Sequence, residues 1–328
     1  MNTYYPKKFF KQQGLTLVEL MVAITLGLLL ISVVLTVFLS STRNYAQDDR
    51  FARMQENGRF AMRLLIQNLS LADFWGGMSV PSNITAGGAD CGVDFNGNDP
   101  IVILSQTTPT AANLKFDCID ASTFKSGTDV LLVKRVLGSP ATAFEPSKVY
   151  LQTDTNTGII LQSSTTPTNF APQTSITTAP TYWEFTPHIY YVQNNSTIPT
   201  LYQKALAAGE MRDEPLIDGI ENFHIQFGID TDANGVANQY IANPTSAQMA
   251  AAINARIHIL ARSVDKDREY SDKKTYWLGD VCYNVGGTGG CGALTDASAP
   301  SEPEKYHRRV FTSTVTLRNP ANLSHLAP

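Results

Sequence analysis

The sequence predicts an α+β protein: one very long N-terminal α-helix, membrane-spanning and then amphipathic, packed on a head rich in antiparallel β-sheet. Three observations lead there. An apolar run over residues 15–39 is interrupted by a single charge, Glu19. A proline-free stretch follows, with apolar residues at three- and four-residue spacing over 42–72. Beyond Pro81, short β-prone runs alternate with clusters of Gly, Asn, Ser, Thr and Pro.

The first element is the apolar run, GLTLVELMVAITLGLLLISVVLTVFLS. It reaches the roughly 20 residues that a helix needs to cross a bilayer. A carboxylate within such a segment costs about 3 kcal/mol on insertion scales, so Glu19 requires a partner and a task. Lys7, Lys8 and Lys11 precede the span, which puts the N-terminus in the cytoplasm and the rest of the chain in the periplasm. A cleaved secretory signal fits poorly, because its apolar core is only about 7 to 15 residues and ends at a small-x-small site. Here the small residue, Gly14, comes before the run.

The helix does not stop at the membrane. Phe51, Met54, Gly58, Ala61 or Met62, Leu65 and Leu69 form one stripe, while Arg50, Arg53, Glu56, Arg59, Arg63 and Gln67 lie on other faces. One continuous helix is expected over residues 16–72, hydrophobic all round in its first half and amphipathic in its second. At 1.5 Å per residue it is about 85 Å long. Trp75, Gly76, Gly77 and Pro81 end it.

The head, 73–328, starts with β-prone runs at 100–106 and 129–136, then VYLQT and IYYVQ. Residues 165–180 read as an exposed Ser/Thr/Pro-rich loop, and the spacing argues for an antiparallel sheet with long connections. Residues 217–229 alternate and read as a single strand. A short helix over 246–252, capped by Thr245 or Ser246, follows. ARIHILARS and VFTSTVTLRN read as the remaining strands.

The net charge of −4 gives no reason to expect nucleic-acid binding. Four cysteines, Cys91, Cys118, Cys282 and Cys291, lie on the oxidising side of the span, and an even count there favours disulfides over metal. Sequence proximity suggests Cys91–Cys118 and Cys282–Cys291, with three pairings possible. Asp230, Asp232, Asn234 and the Val236 carbonyl are spaced like the start of an EF-hand calcium loop with Gly235 sixth. Position twelve is Ile241 rather than the bidentate Glu, so a polar turn with Asn234-Gly235 at positive φ is the favoured reading and calcium the alternative. No other cofactor is expected. Gly287, Gly289 and Gly292 match G-x-G-x-x-G without the strand and helix that the dinucleotide motif needs. His188, His224, His258, His307 and His325 form no metal-spaced pair, and Tyr182, Trp183, Phe185, Tyr190 and Tyr191 read as strand core.

The string KQQGLTLVELMVAITLGLLL resembles the class III signal shared by type IV pilins and type II secretion pseudopilins: a short basic leader, a Gly, a hydrophobic residue, and a Glu fifth in the mature chain. The phrases GIENFHIQFGID, ILARS and RRVFTSTVTLRN resemble the C-terminal region of PilW-type minor pilins. The resemblance implies a type IV pilin-like fold with a leader over 1–14, a membrane half-helix over 15–41 and an amphipathic half over 42–72. It implies cleavage between Gly14 and Leu15 by a prepilin peptidase and N-methylation of the new Leu15 amine. A helix N-terminus already carries partial positive charge. Glu19, one turn up, would neutralise its own or a neighbour's Leu15 amine and set the subunit register. The implied partners are other minor pilins and the major pilin, through helix packing, and the implied location is the inner membrane and then the pilus fibre. The implied role is a non-enzymatic minor pilin in the initiation or tip complex of a type IV pilus. A minor pseudopilin of a type II secretion system is the nearest alternative. A signal-anchored periplasmic enzyme or ligand-binding protein is the rival from another class.

Overall fold

The computed structural model describes residues 14, 16–78, 84–85, 89–104, 116–145, 147–154, 157–162, 181–195, 198–294 and 302–319. Lys7, Lys8, Lys11, Leu15, Pro81, His325 and the stretch 165–180 lie outside them. The chain divides into two compact units, Met1–Asp49 and Arg50–Pro328.

Helix α1 (Leu17–Ser70) runs through the division without a break. In the first unit the side chains from Leu17 to Leu39 are largely exposed, Leu17 at 74% and Phe38 at 64%. The segment is long and apolar enough to cross a membrane. Its hydroxyls are satisfied inside the helix: Thr25 donates to the Val22 carbonyl at 2.9 Å, Ser32 to Leu29 at 2.7 Å and Thr36 to Ser32 at 2.8 Å. Such back-bonding lets these residues sit in an apolar medium without an orphaned donor.

In the second unit, α1 buries Met54, Gly58, Ala61, Met62, Leu65, Asn68 and Leu69, which include most of the expected stripe. Burying each large apolar side chain of this kind is worth roughly 1.5–3 kcal/mol. The helix ends two residues earlier than expected. Asp73 takes φ 62°, Gly76 65° and Gly77 87°, left-handed values incompatible with helix continuation. Trp75 is buried, stacks on Phe185 at 5.8 Å, and donates its indole N–H to Asp73 at 2.7 Å.

The head begins with short strands β1 (Ile84–Thr85), β2 (Ala89–Asp90) and β3 (Val93–Asp94), then β4 (Ile101–Leu104), β5 (Val130–Val133), β6 (Val149–Thr153), β7 (Gly158–Gln162) and β8 (Thr181–Glu184). Longer strands follow: β9 (His188–Asn195), β10 (Ile198–Ala207), β11 (Glu210–Asp218) and β12 (Ile220–Ile229). The last third holds β13 (Gln239–Ile241), α2 (Ser246–Ala250), β14 (Ala252–Arg262), β15 (Tyr276–Leu278), β16 (Val281–Asn284), β17 (Gly292–Ala293) and β18 (Arg308–Thr316). Antiparallel sheets of order β11-β10-β9-β5-β4 and β13-β12-β14-β18 form the body. A β1-β7-β6-β8 sheet and a small β15-β16-β17 sheet flank them.

Two of the three buried apolar clusters among the described residues explain most of the patterning. One joins the buried face of α1 to Phe223, Ile225 and Phe227 of β12 and to Ala255, Ile257 and Ile259 of β14. The other gathers Trp75, Phe95, Phe185 and Leu151. β5 divides its side chains between them, Leu131 and Val133 to the first, Val130 and Leu132 to the second. A strand buried on both faces reads as an unbroken apolar run, as VLLV does.

One expected element is corrected. Residues 217–229 are not one strand: Ile217 pairs with Leu201 as part of β11, and β12 starts at Ile220. Between them Gly219 takes φ 77°, donates to the Pro199 carbonyl and accepts from Arg262, each at 2.7 Å. A Cβ there would lie 2.5 Å from the Arg262 carbonyl oxygen, so this break requires glycine. Helix α2 stops at Ala250, two residues short of expectation, and its cap is Thr245, in a reciprocal box with Gln248.

Candidate functional site

The N-terminus of α1 is built by Thr16. Its Oγ1 accepts the Glu19 backbone N–H at 3.3 Å, which satisfies one of the orphan donors of the first turn. Thr16-x-x-Glu19 is a capping-box pattern, a signal present in the sequence that the reading of Glu19 as a charge alone passes over. Glu19 is exposed in the first turn of a segment whose other side chains are apolar or internally bonded hydroxyls. Gly14 is exposed, and Leu15 lies outside the described residues.

The amphipathic half of α1 is held in its seat by more than the apolar stripe. Asn57 donates to the Asp218 carbonyl at 2.9 Å, and Arg135 donates to Asn68 Oδ1 at 3.2 Å. Arg50 pairs with Asp267 at 3.4 Å, and Asp267 also takes His307 Nε2 at 3.0 Å. The hydrogen bond from His307 holds the Asp267 carboxyl below the usual range, against a smaller desolvation effect. Phe51 packs on the His307 ring, with centroids 4.8 Å apart. The exposed face of the same turns carries Ala52, Glu56, Arg59, Phe60 and Arg63.

Beneath the seat, β12 and β14 turn polar side chains away from α1. Glu221 on β12 meets Arg308 at the start of β18, with Arg308 Nη2 3.1 Å from Glu221 Oε1, and Arg308 Nη1 reaches Asp272 at 2.9 Å. These side chains are essentially inaccessible. Burial works to raise the Glu221 carboxyl, but the Arg308 charge and hydrogen bonds outweigh it and hold it below the usual range. His224, also on β12, is bridged between Asp129 (Nδ1, 3.0 Å) and Asp280 (Nε2, 2.8 Å). Burial works to lower the imidazole, and the two carboxylates reverse that and raise it. His258, its register partner on β14, is pushed down to about 4 by burial and bonds Thr312 through Nδ1 at 3.1 Å. The sequence reading left Glu221, Arg308, Asp129 and Asp280 unassigned. The acid Glu221 near the start of β12 and the Arg308-Arg309 pair opening the last strand were the available signals.

The candidate calcium loop closes on itself. Asp230 accepts backbone N–H groups from Asp232 at 3.3 Å, Asn234 at 3.3 Å and Gly235 at 2.7 Å, and Asn234 Nδ2 donates to Asp232 at 3.0 Å. Asn234 Oδ1 takes the Val236 N–H at 2.8 Å, and Gly235 has φ 81°. Asp230, Asp232 and Asn234 thus each have at least one side-chain oxygen that accepts a hydrogen bond within the loop. Cys91 is bonded to Cys118 and Cys282 to Cys291. Among the described residues one cluster of potential metal ligands gathers its atoms, Cys91, Asp117 and Cys118, and two of its three members are joined in a disulfide. The Gly287–Gly292 run is the turn closed by the second disulfide, with Gly287, Gly289 and Gly290 at positive φ. Phe185, Tyr190 and Tyr191 are buried, while Tyr182 and Trp183 are half-buried.

Residues 9–35 match the family described as the prokaryotic N-terminal methylation motif. Residues 189–319 match the family described as type IV pilus-assembly protein W, PilW. Comparison with curated proteins returned no match. Among solved structures, a type IV-like pilin from Thermus thermophilus is 11% identical with a TM-score of 0.35, over 82% of this chain and 99% of that one. A methylation-motif N-terminus opening a long apolar helix whose second half is seated on an antiparallel sheet defines the type IV pilin class. The PilW match spans β9 to β18, and together with the N-terminal motif it supports a PilW-like type IV pilin.

Proposed function

We propose that this chain is a structural minor pilin that takes part in initiating assembly of a type IV pilus, within the complex that comes to lie at its tip. A prepilin peptidase cuts between Gly14 and Leu15 on the cytoplasmic face, and the Leu15 amine is methylated. Until assembly the subunit is held in the inner membrane by residues 15–41, N-terminus inside and head in the periplasm. Other minor pilins and the major pilin then replace lipid around the apolar half of α1.

The observation that carries this reading is the division of labour along one continuous helix. From Leu17 to Leu39 it leaves its apolar side chains exposed, and from Met54 to Leu69 it is locked into the head. An apolar surface of that extent must be covered, first by lipid and then by like helices. Glu19, the one carboxylate among those apolar residues, pairs with the Leu15 amine of its own or a neighbouring subunit, because leaving either charge bare in that packing is costly. Bulk favours a tip or initiation role, since a large head is awkward to repeat along a thin fibre. Deleting the gene and scoring surface pili alongside secreted proteins tests the reading. Loss of pili with secretion intact is expected. Normal pili with lost secretion would assign the chain to a type II secretion pseudopilus instead.

A further inference from the structure

We propose that Lys134 and Asn96 form an intramolecular amide cross-link, made by attack of the Lys134 ε-amine on the side-chain carbonyl carbon of Asn96 with release of ammonia. The inference is independent of the pilus reading. Lys134 directly follows β5, and its side chain is buried in the turn that follows β3. Its Nζ lies 3.4 Å from the Asp94 carbonyl oxygen, 3.2 Å from that of Asn96 and 3.5 Å from Asn96 Oδ1, and it also contacts the Asn98 carbonyl. The amine and the side-chain amide therefore meet, 38 residues apart in sequence. Phe95 is fully buried next to Asn96, with Trp75 and Phe185 in the same core.

Three features favour reaction over mere contact. Asn96 Oδ1 already accepts the Asn98 backbone N–H at 3.0 Å, a donor aimed at the oxygen on which negative charge develops in the tetrahedral intermediate. Burial pushes the Lys134 amine down to about 8 despite the opposing charges of Asp99, Asp94 and Asp73, so a neutral amine is accessible. Asp73, whose backbone N–H donates to the Lys134 carbonyl at 3.2 Å, is buried and has its carboxyl pushed up to about 7 by burial. That carboxyl feels the Lys134 charge, and in the proposed reaction it takes up the proton that the amine gives up.

The step balances without a cofactor. The Nζ lone pair forms the new C–N bond as the carbonyl π electrons move to Oδ1. On collapse the Cγ–Nδ2 bond breaks, and Nδ2 departs as ammonia with the proton lost from Nζ. A primary amide and an amine become a secondary amide and ammonia. The product joins the turn after β3 to the end of β5, close in sequence to Cys91, and unlike a disulfide it survives reduction.

Tryptic digestion of the reduced, detergent-purified full-length protein, followed by tandem mass spectrometry, decides the matter. The expected result is a branched peptide that joins the Lys134 and Asn96 segments and is lighter than their sum by one ammonia. Cleavage after Lys134 should be nearly lost, and the branched species should be absent from Lys134→Met and Asn96→Ala. The unmutated protein alone suffices if those variants fold poorly. Quantitative recovery of linear peptides, with a free Lys134 and with Asn96 unchanged or deamidated, would overturn the proposal.

Discussion

Gly58 on α1 and the Phe311 ring on β18 occupy one space: a Cβ built on Gly58 would lie 2.3 Å from the ring. The glycine in the middle of the amphipathic half-helix is therefore the slot through which the last strand meets α1. Gly58→Ala forces the ring or the helix to move, and overpacking of this kind costs about 1–3 kcal/mol. Better helix propensity returns at most about 1 kcal/mol. Denaturant titration should show a lower midpoint for Gly58→Ala. Gly27→Ala, where nothing lies within 4 Å, should not lower the midpoint. A stabilised Gly58→Ala would mean that the seat is looser than described.

The buried Glu221–Arg308–Asp272 cluster makes a second prediction. Arg308→Met strands two carboxylates in the interior, and breaking such a pair typically costs roughly 3–5 kcal/mol. Replacing Glu221 by Leu in the same chain should recover part of that loss, which a double-mutant cycle measures. The pH dependence has a definite sign. Glu221 titrates below its ordinary value of 4.5 in the fold, so its contribution is present above that value. It is lost as pH falls through the lower folded value.

Asp73 runs the other way. Its folded carboxyl titrates at about 7 against an ordinary 3.8, so the native state holds the extra proton between those values. The protein should then lose stability as pH rises from about 4 through about 7. Asp73→Asn keeps an oxygen for the Trp75 N–H and has nothing to ionise. Its stability relative to the parent should grow across that interval and level off above it. Parallel melting curves at pH 5 and pH 8 that show the same difference would refute the assignment.

For the Asp230 loop the expectation is a turn that needs no ion. Isothermal titration of the protein with calcium should give no heat. A heat signal that Asp232→Ala abolishes would instead establish a calcium site. Asp230→Ala should loosen the loop in either case, because three backbone N–H groups lose their acceptor.

Much of this architecture was legible because it rests on periodicity. The stripe from Met54 to Leu69 and the continuous apolar run of β5 are local patterns that formed as read, whereas the turn in the Asp230 loop places Ala233 (φ 56°) and Gly235 (φ 81°), not Asn234, at positive φ. The break at Gly219 was masked by the alternation that runs from Phe223 to Ile229. The three-residue steps from Ile217 to Ile220 to Phe223 marked it, and the paired backbone contacts with Pro199 and Arg262 require it. The polar interior was less visible still. Glu221 and Arg308 are 87 residues apart, Asp129 and His224 are 95 apart, and no local pattern announces a contact made across a sheet. At the N-terminus the reverse holds: Gly14, Leu15 and Glu19 are a sequence signal, and the fold adds only the Thr16 cap and the exposure of the helix they open.

The central claim is that this helix begins as a processed pilin N-terminus. N-terminal sequencing, or top-down mass spectrometry of the protein purified from its native membrane, tests it directly. The account predicts a chain that starts at N-methylated Leu15 and carries Glu19 as its fifth residue. An intact leader, or a chain cut near Ser41, would contradict it.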